Sequence, residues 1–101
     1  MVARRANSFA FGTLFYPKVL REGHVGVKRM TKHVDIFALD LIFVPVHLGD
    51  HWCLAVVDML NKTMLYYDSY GSQNQACMDT LVQYLEKEHL AKEGVRDIRT
   101  S

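Results

Sequence analysis

The sequence predicts an α+β domain in which about three antiparallel strands are flanked by helices. Three apolar runs rich in branched and aromatic residues indicate the strands, and apolar residues at helical spacing on both sides of them indicate the helices. With 101 residues the chain forms one domain at most. Half of the residues are hydrophobic and 23% are charged, a composition typical of globular proteins.

The first part of the chain combines an aromatic segment with a helix. We expect residues 8–16 to be buried and to be interrupted at Gly12. Pro17 suits the first turn of a helix because the N–H that it lacks has no partner there. Apolar residues continue at near-helical spacing to residue 30, although Gly23 and Gly26 weaken this helix. A connection over residues 31–39 leads to the sheet.

Three strands are predicted over residues 41–46, 52–57 and 63–67. The second is apolar on both faces, which is typical of a strand in the middle of a sheet. Residues 59–62 form the hairpin turn between the second and third strands.

A second helix follows the sheet. Residues 72–75 match a capping box, with Ser72 as the N-cap. The helix is predicted to end near Gly94 and to turn three charged residues, including Glu88, towards water. Its buried stripe is predicted to comprise Met78, Leu81, Val82, Leu85 and His89.

Composition and charge argue against several classes of partner. The net charge of +1 leaves no broad basic surface for nucleic acid or anionic membranes. Two cysteines do not make a disulfide framework. No apolar run reaches the roughly 18 residues that a membrane span requires. We therefore expect no nucleic-acid partner and no membrane span.

A histidine and a carboxylate begin and end two neighbouring strands. Any hairpin loop with an even number of residues places His51 and Asp68 on the same face of the sheet. A four-residue loop over 59–62 pairs Asp58 with Thr63 and leaves His51 one diagonal step from Asp68. A carboxylate beside an imidazole fixes its tautomer and stabilises its charged form, and the imidazolium in turn activates a cysteine thiolate. The pair therefore predicts the base and the orienting acid of a nucleophilic triad.

Structural roles for the same residues stay open at this point. A histidine beside a tryptophan can simply belong to a strand start, and Asp68 can belong to a turn that ends a strand. Cys53 is expected to be a core residue, and Cys77 near a helix start fits ordinary packing, so neither is a strong candidate nucleophile. His47 and His51 are four residues apart, but no neighbour completes a zinc set by sequence spacing, so neither a metal site nor a cofactor is predicted.

The chain resembles the ubiquitin-like-protein-specific cysteine proteases, the sentrin/SUMO protease family. The resemblance covers roughly residues 8–89 and has the family's order of histidine before aspartate. It is carried by TLFYPK at 13–18, VKRMTK at 27–32, VPVHLG at 44–49, HWCLAVVD at 51–58 and YYDS at 66–69.

The resemblance implies a papain-like, adenain-type cysteine protease fold and cleavage after the C-terminal Gly-Gly of SUMO or a related modifier. It implies both precursor processing and release of the modifier from its conjugates. His51 is then the general base, Asp68 its orienting acid, and Trp52 part of a narrow tunnel that admits only two glycines. A core anchor is the alternative role of Trp52. A nuclear or nucleocytoplasmic location follows from the same resemblance.

The resemblance also implies that residues 1–101 are a partial catalytic domain. The docking part is expected before Met1, and the segment with the nucleophilic cysteine and the oxyanion glutamine is expected after Ser101. Met30 stands where the family usually has tryptophan, and Tyr70 where it usually has methionine. We expect a SUMO-type thiol protease fragment that is inactive alone. The alternatives are a non-catalytic form that binds a modifier or partner, and a deneddylating relative.

Overall fold

The computed structural model describes the backbone of residues 7–100 and the side chains of residues 7–92. Helices lie on either side of a run of strands in the chain, which confirms the predicted α+β class. In chain order the elements are β1 (Ser8–Ala10), α1 (Phe15–Val27), β2 (Leu41–His47), β3 (Trp52–Asp58), β4 (Thr63–Asp68) and α2 (Gln75–Thr100). Two short 3₁₀ helices, Lys28–Thr31 and Ile36–Ala38, connect α1 to β2. No helix among the described residues is both long and apolar enough to cross a membrane.

The described strands form one sheet in the order β1-β2-β3-β4. The three predicted strands are confirmed, and each extends one residue further than expected. As predicted, β3 lies between two neighbours and pairs antiparallel with both. The sequence prediction missed β1, which pairs parallel to β2 and has only three residues, too few to show alternation.

One face of the sheet carries the core, because alternate residues of β2 and β3 point towards the two helices. Phe15 of α1 stacks on Phe11 and meets the edge of the Tyr84 ring of α2, so both helices share this core. The sheet contributes Ile42, Val44, Val46, Cys53, Ala55 and Val57 to the same cluster. On β4, Leu65 and Tyr67 point to the opposite side and are exposed. Side chains of β3 that are an even number of residues from Cys53 therefore lie on the face of the sheet that the helices cover.

Helix α2 differs from its prediction at both ends. It begins at Gln75, and the Asn74 side chain accepts a hydrogen bond from the Cys77 N–H at 3.0 Å. Asn74 thus performs the capping role assigned to Ser72, because the turn after Asp68 extends to residue 74. The helix also continues through Gly94 to Thr100, since a single glycine lowers helix stability without ending it.

The buried stripe of α2 is rotated relative to the prediction. Leu81 is buried and Leu85 partly so, but Val82 and His89 are exposed. The stripe in the structure comprises Cys77, Leu81, Tyr84 and Glu88. Aromatic residues before and within α1 select this face because their rings make edge-to-face contacts with Tyr84.

Glu88, which was predicted to face water, is only 1% exposed. Its carboxylate lies 2.6 Å from His24 Nε2, accepts a hydrogen bond from Thr31 Oγ1 at 2.7 Å and forms an ion pair with Lys92. The prediction failed because two of these partners, His24 and Thr31, are far from Glu88 in sequence. Burial raises the pKa of Glu88, but the hydrogen bonds from Thr31 and His24 outweigh it and the net shift is downward.

Candidate active site

A tight turn between β2 and β3 places His51. Leu48 donates its N–H to the carbonyl of His51 at 2.9 Å, which leaves Gly49 and Asp50 at the tip. Gly49 has a φ of 70°, a left-handed conformation that glycine adopts without steric cost. The turn therefore fixes His51 immediately before the first residue of β3.

The β3–β4 hairpin brings Asp68 to the same place. Its four-residue loop pairs Asp58 with Thr63, as the parity argument assumed, and Asp58 closes the loop by accepting two hydrogen bonds from Asn61. The resulting register places Asp68 opposite Cys53, two residues beyond His51.

His51 and Asp68 meet as their strand positions predicted. His51 Nε2 lies 3.2 Å from Asp68 Oδ2. The Asp68 side chain is 2% exposed, and its Oδ1 accepts the Tyr70 N–H at 2.8 Å. The carboxylate is therefore held in one orientation by the turn that ends β4.

A second carboxylate and an aromatic ring complete the surroundings of His51. His51 Nδ1 lies 2.8 Å from Asp50 Oδ1, and the Asp50 side chain is 78% exposed. The Tyr70 ring lies against the imidazole with 4.3 Å between the ring centres. Both ring nitrogens consequently face carboxylates, one at the protein surface and one beneath it.

These contacts favour the charged imidazole. Hydrogen bonds with Asp50, and then with Asp68, raise the pKa of His51. The pKa of Asp50 is lowered, chiefly by His51, and the pKa of Asp68 is lowered, chiefly by the Tyr70 N–H. The arrangement can hold an imidazolium between two carboxylates.

Both cysteines are poor nucleophiles in this fold. Cys53 and Cys77 are free thiols and are buried, as predicted for a core position. Burial raises the pKa of both thiols, and the Asp68 carboxylate adds to the rise for Cys53. A thiolate is disfavoured at either site.

Trp52 follows His51 directly in the chain and is not a core anchor. Its side chain is 53% exposed, and its ring stacks on His47 at a centre-to-centre distance of 4.3 Å. His47 pairs with Trp52 across β2 and β3, so the two rings form one exposed surface. The alternative in which Trp52 anchors the core is therefore wrong.

Among the described residues, one group of side chains could hold a metal ion. Donor atoms of His51, Cys53 and Asp68 lie within 4.8 Å of one another. The sequence-based expectation of no metal site considered only spacing along the chain, and the β3–β4 register brings Asp68 to His51 and Cys53, which spacing did not reveal.

Sequence reasoning missed two members of the site, Asp50 and Tyr70, which contact the imidazole directly. It did place Cys53 near His51, because the two residues are two apart in the chain and share a face by strand alternation. The structure adds that Cys53 lies beside Asp68. Asp50 and Tyr70 lie in turns, where no periodic pattern predicts the direction of a side chain.

Comparison with known proteins identifies relatives of this chain. It is 50% identical over 84 residues to a sentrin-specific protease of Caenorhabditis elegans, which covers 83% of this chain and 12% of that protein. It is 41% identical over 83 residues to human sentrin-specific protease 3, covering 82% and 14% of the two chains. The chain therefore spans only a small part of the curated relatives that it matches.

Solved structures agree with these relatives. The chain superposes on the SUMO protease Ulp1 with its catalytic cysteine oxidised to a sulfinic acid, with a TM-score of 0.73 and 35% identity over 81% of this chain and 41% of that one. A de-sumoylating protease superposes with a TM-score of 0.78 over 89% and 39% of the two chains, and at 19% identity that likeness concerns the fold alone. The sequence model of the Ulp1 protease family C-terminal catalytic domain matches residues 3–98. The chain belongs to the Ulp1 protease family.

Proposed function

We propose that this chain supplies the catalytic histidine, His51, and the catalytic aspartate, Asp68, of a SUMO-type thiol protease. The observation that carries the proposal is the 3.2 Å contact between His51 Nε2 and Asp68 Oδ2, in a chain of the Ulp1 protease family. The activity is cleavage after the C-terminal Gly-Gly of the modifier, in precursors and in isopeptide conjugates. The partners are SUMO or a related ubiquitin-like modifier and its conjugates.

His51 acts as the general base and Asp68 orients it. An imidazolium beside a cysteine lowers the pKa of the thiol, and a buried carboxylate stabilises that imidazolium. The raised pKa of His51 and the nearly complete burial of Asp68 suit these roles. Asp50 contacts the other ring nitrogen of His51, Nδ1. A catalytic thiol that approaches this nitrogen therefore displaces the exposed Asp50 side chain and leaves the buried Asp68 in place.

The nucleophile and the oxyanion donors come from chain outside these 101 residues. For the nucleophile, the support is that both cysteines present are buried and have raised pKa values. The oxyanion donors are placed outside on the family resemblance. Residues 1–101 are in this view the central part of a catalytic domain and are inactive alone, since a triad without its nucleophile loses nearly all of its catalysis.

Trp52 contributes to substrate selection. It is exposed, follows His51 directly and is braced by stacking on His47. An indole at the wall of a slot excludes side chains larger than hydrogen, which suits a Gly-Gly sequence. A nuclear or nucleocytoplasmic location is part of the proposal, as are the absence of a nucleic-acid partner and the absence of a membrane span.

Cleavage assays on the product of the full transcript test this proposal. SUMO and NEDD8 precursors are incubated with the wild type and with His51→Ala and Asp68→Asn variants, and the products are resolved on gels. We expect SUMO cleavage by the wild type and a loss of about 10³-fold to 10⁴-fold in each variant. Asp79→Asn is the matched control, because Asp79 is an exposed carboxylate on α2 that accepts a hydrogen bond from Gln75 and lies outside the site.

The same assay separates the alternatives. If the His51→Ala variant cleaved SUMO at the wild-type rate, the assignment of His51 as the base would be overturned. Preference of the wild type for the NEDD8 precursor would indicate a deneddylating enzyme. If the transcript ends at Ser101, capture of SUMO without cleavage would indicate a binding protein. Robust cleavage by the 101-residue chain itself would show that Cys53 or Cys77 is reactive.

A further inference from the structure

The site contains one donor, Cys53, that the proposed triad does not use. Cys53 lies behind the His51–Asp68 pair, and one donor atom from each of the three residues falls within 4.8 Å of the other two. A thiol, an imidazole and a carboxylate are the three side chains that most often bind zinc. Donors around one tetrahedral zinc ion are about 3.3–3.7 Å apart. The 3.2 Å between His51 Nε2 and Asp68 Oδ2 is close to that spacing, and the Cys53 Sγ lies within 4.8 Å of both donors.

The orientation of the imidazole is the second observation. A histidine that binds a metal usually donates its other ring N–H to a carboxylate, which fixes the tautomer and raises the basicity of the coordinating nitrogen. Asp50 Oδ1 lies 2.8 Å from His51 Nδ1, while Nε2 faces Asp68. The Tyr70 N–H donates a hydrogen bond to the other oxygen of Asp68, Oδ1, and so fixes the orientation of this carboxylate. Two of the three donors thus already have outer partners.

We propose that His51 Nε2, Cys53 Sγ and an Asp68 carboxylate oxygen bind one Zn²⁺ ion. Binding converts the Cys53 S–H into a Zn–S bond and releases its proton to solvent, with no change in oxidation state. Three protein ligands leave a fourth position for water. The His51 side chain is partly exposed, so an ion can enter from its side of the site.

The consequence for activity rests on the proposed function. Zinc occupies the nitrogen and the carboxylate that the protease chemistry uses, so the zinc-bound form is inactive. The site itself does not depend on that function, because binding is measured directly on the 101-residue chain. A failed cleavage assay and a failed binding assay are therefore distinct results.

Cobalt substitution followed by zinc competition tests the proposal. The reduced chain is titrated with Co²⁺, and we expect one equivalent to give tetrahedral d–d bands together with a thiolate-to-cobalt charge-transfer band in the near ultraviolet. Zn²⁺ then displaces the cobalt. We expect Cys53→Ser to abolish the charge-transfer band and Asp50→Asn to weaken zinc binding by about 10-fold to 100-fold.

The second buried cysteine provides the matched control. Cys77→Ser removes an equally buried thiol outside the donor group and should leave the spectrum unchanged. Circular dichroism checks that each variant folds, and His51→Ala, which changes a partly exposed side chain, replaces Cys53→Ser if that variant does not fold. The absence of a charge-transfer band in the wild type, or its persistence in a folded Cys53→Ser or His51→Ala variant, would overturn the proposal.

Discussion

Cys53 and Asp68 are directly opposite each other in the antiparallel pairing of β3 and β4. This register decides the geometry of the site, because side chains two residues apart on a strand share a face. His51, two residues before Cys53, therefore reaches the Asp68 carboxylate across one diagonal. A slip of one residue would place His51 and Asp68 on opposite faces of the sheet.

The pKa of His51 is expected to lie above the ordinary histidine value of about 6.5. Asp50→Asn should lower it, because the hydrogen bond with Asp50 is its largest cause, while Asp79→Asn should leave it unchanged. An NMR titration of the imidazole protons measures both effects. A wild-type pKa at or below the ordinary value would contradict the geometry.

The same shifts predict the sign of the pH dependence of stability. The contribution of protonated His51 is fully present below its unfolded pKa and is lost as pH rises through the raised folded pKa. The contributions of Asp50 and Asp68 are present above an unfolded pKa of about 4 and are lost as pH falls through their lowered folded values. Urea unfolding should therefore show this contribution at its largest between about pH 4 and pH 6.5. The predicted sign would be wrong if the difference in the free energy of unfolding between the wild type and Asp68→Asn grew as the pH rose above that range.

Neither thiol of the native metal-free chain should react rapidly with a disulfide reagent at neutral pH. Burial blocks access to Cys53 and Cys77 and disfavours their thiolates. We expect both to react quickly once the chain is unfolded in guanidinium chloride, which serves as the control. Fast modification of one thiol in the native chain would indicate an activated cysteine.

Leu81→Ala tests the rotated stripe of α2. Leu81 is 2% exposed within the core, so its truncation should lower the free energy of unfolding by about 2–5 kcal/mol. Leu90→Ala changes the same residue type at a position that is 71% exposed, and the expected effect is within about 0.5 kcal/mol. Equal effects of the two substitutions, measured by urea denaturation, would show that the helix face is wrongly assigned.

Glu88→Gln tests the buried carboxylate. Thr31, His24 and Lys92 all contact this side chain, and hydrogen bonds to charged groups each contribute about 1.5–3 kcal/mol. We expect a loss of at least that size in the free energy of unfolding. Glu86→Gln, at an exposed position on the same helix, should change it by less than about 0.5 kcal/mol. If the two variants were equally stable, the Glu88 network would contribute nothing.

Strands β2, β3 and β4 and the contact between His51 and Asp68 could be predicted from the sequence, whereas β1 could not. The three strands are apolar runs rich in branched and aromatic residues, and the contact depends on strand alternation and on an even hairpin loop, all of which are local properties that the sequence encodes. The family could be recognised as well, because ordered motifs such as HWCLAVVD recur with their spacing. The catalytic roles of His51, Asp68 and Trp52 stay proposals.

Tertiary packing decided what the local patterns did not specify. The sequence by itself determined where the chain is extended, which strand is central and which two side chains converge on one face. The structure alone decided that Glu88 is buried, that Asn74 rather than Ser72 caps α2, and that Asp50 and Tyr70 flank the imidazole. The physical reason is the separation in sequence between the residues that interact. Strand alternation is set by neighbouring residues, whereas the burial of a charge depends on partners such as His24 and Thr31, which are 64 and 57 residues away from Glu88.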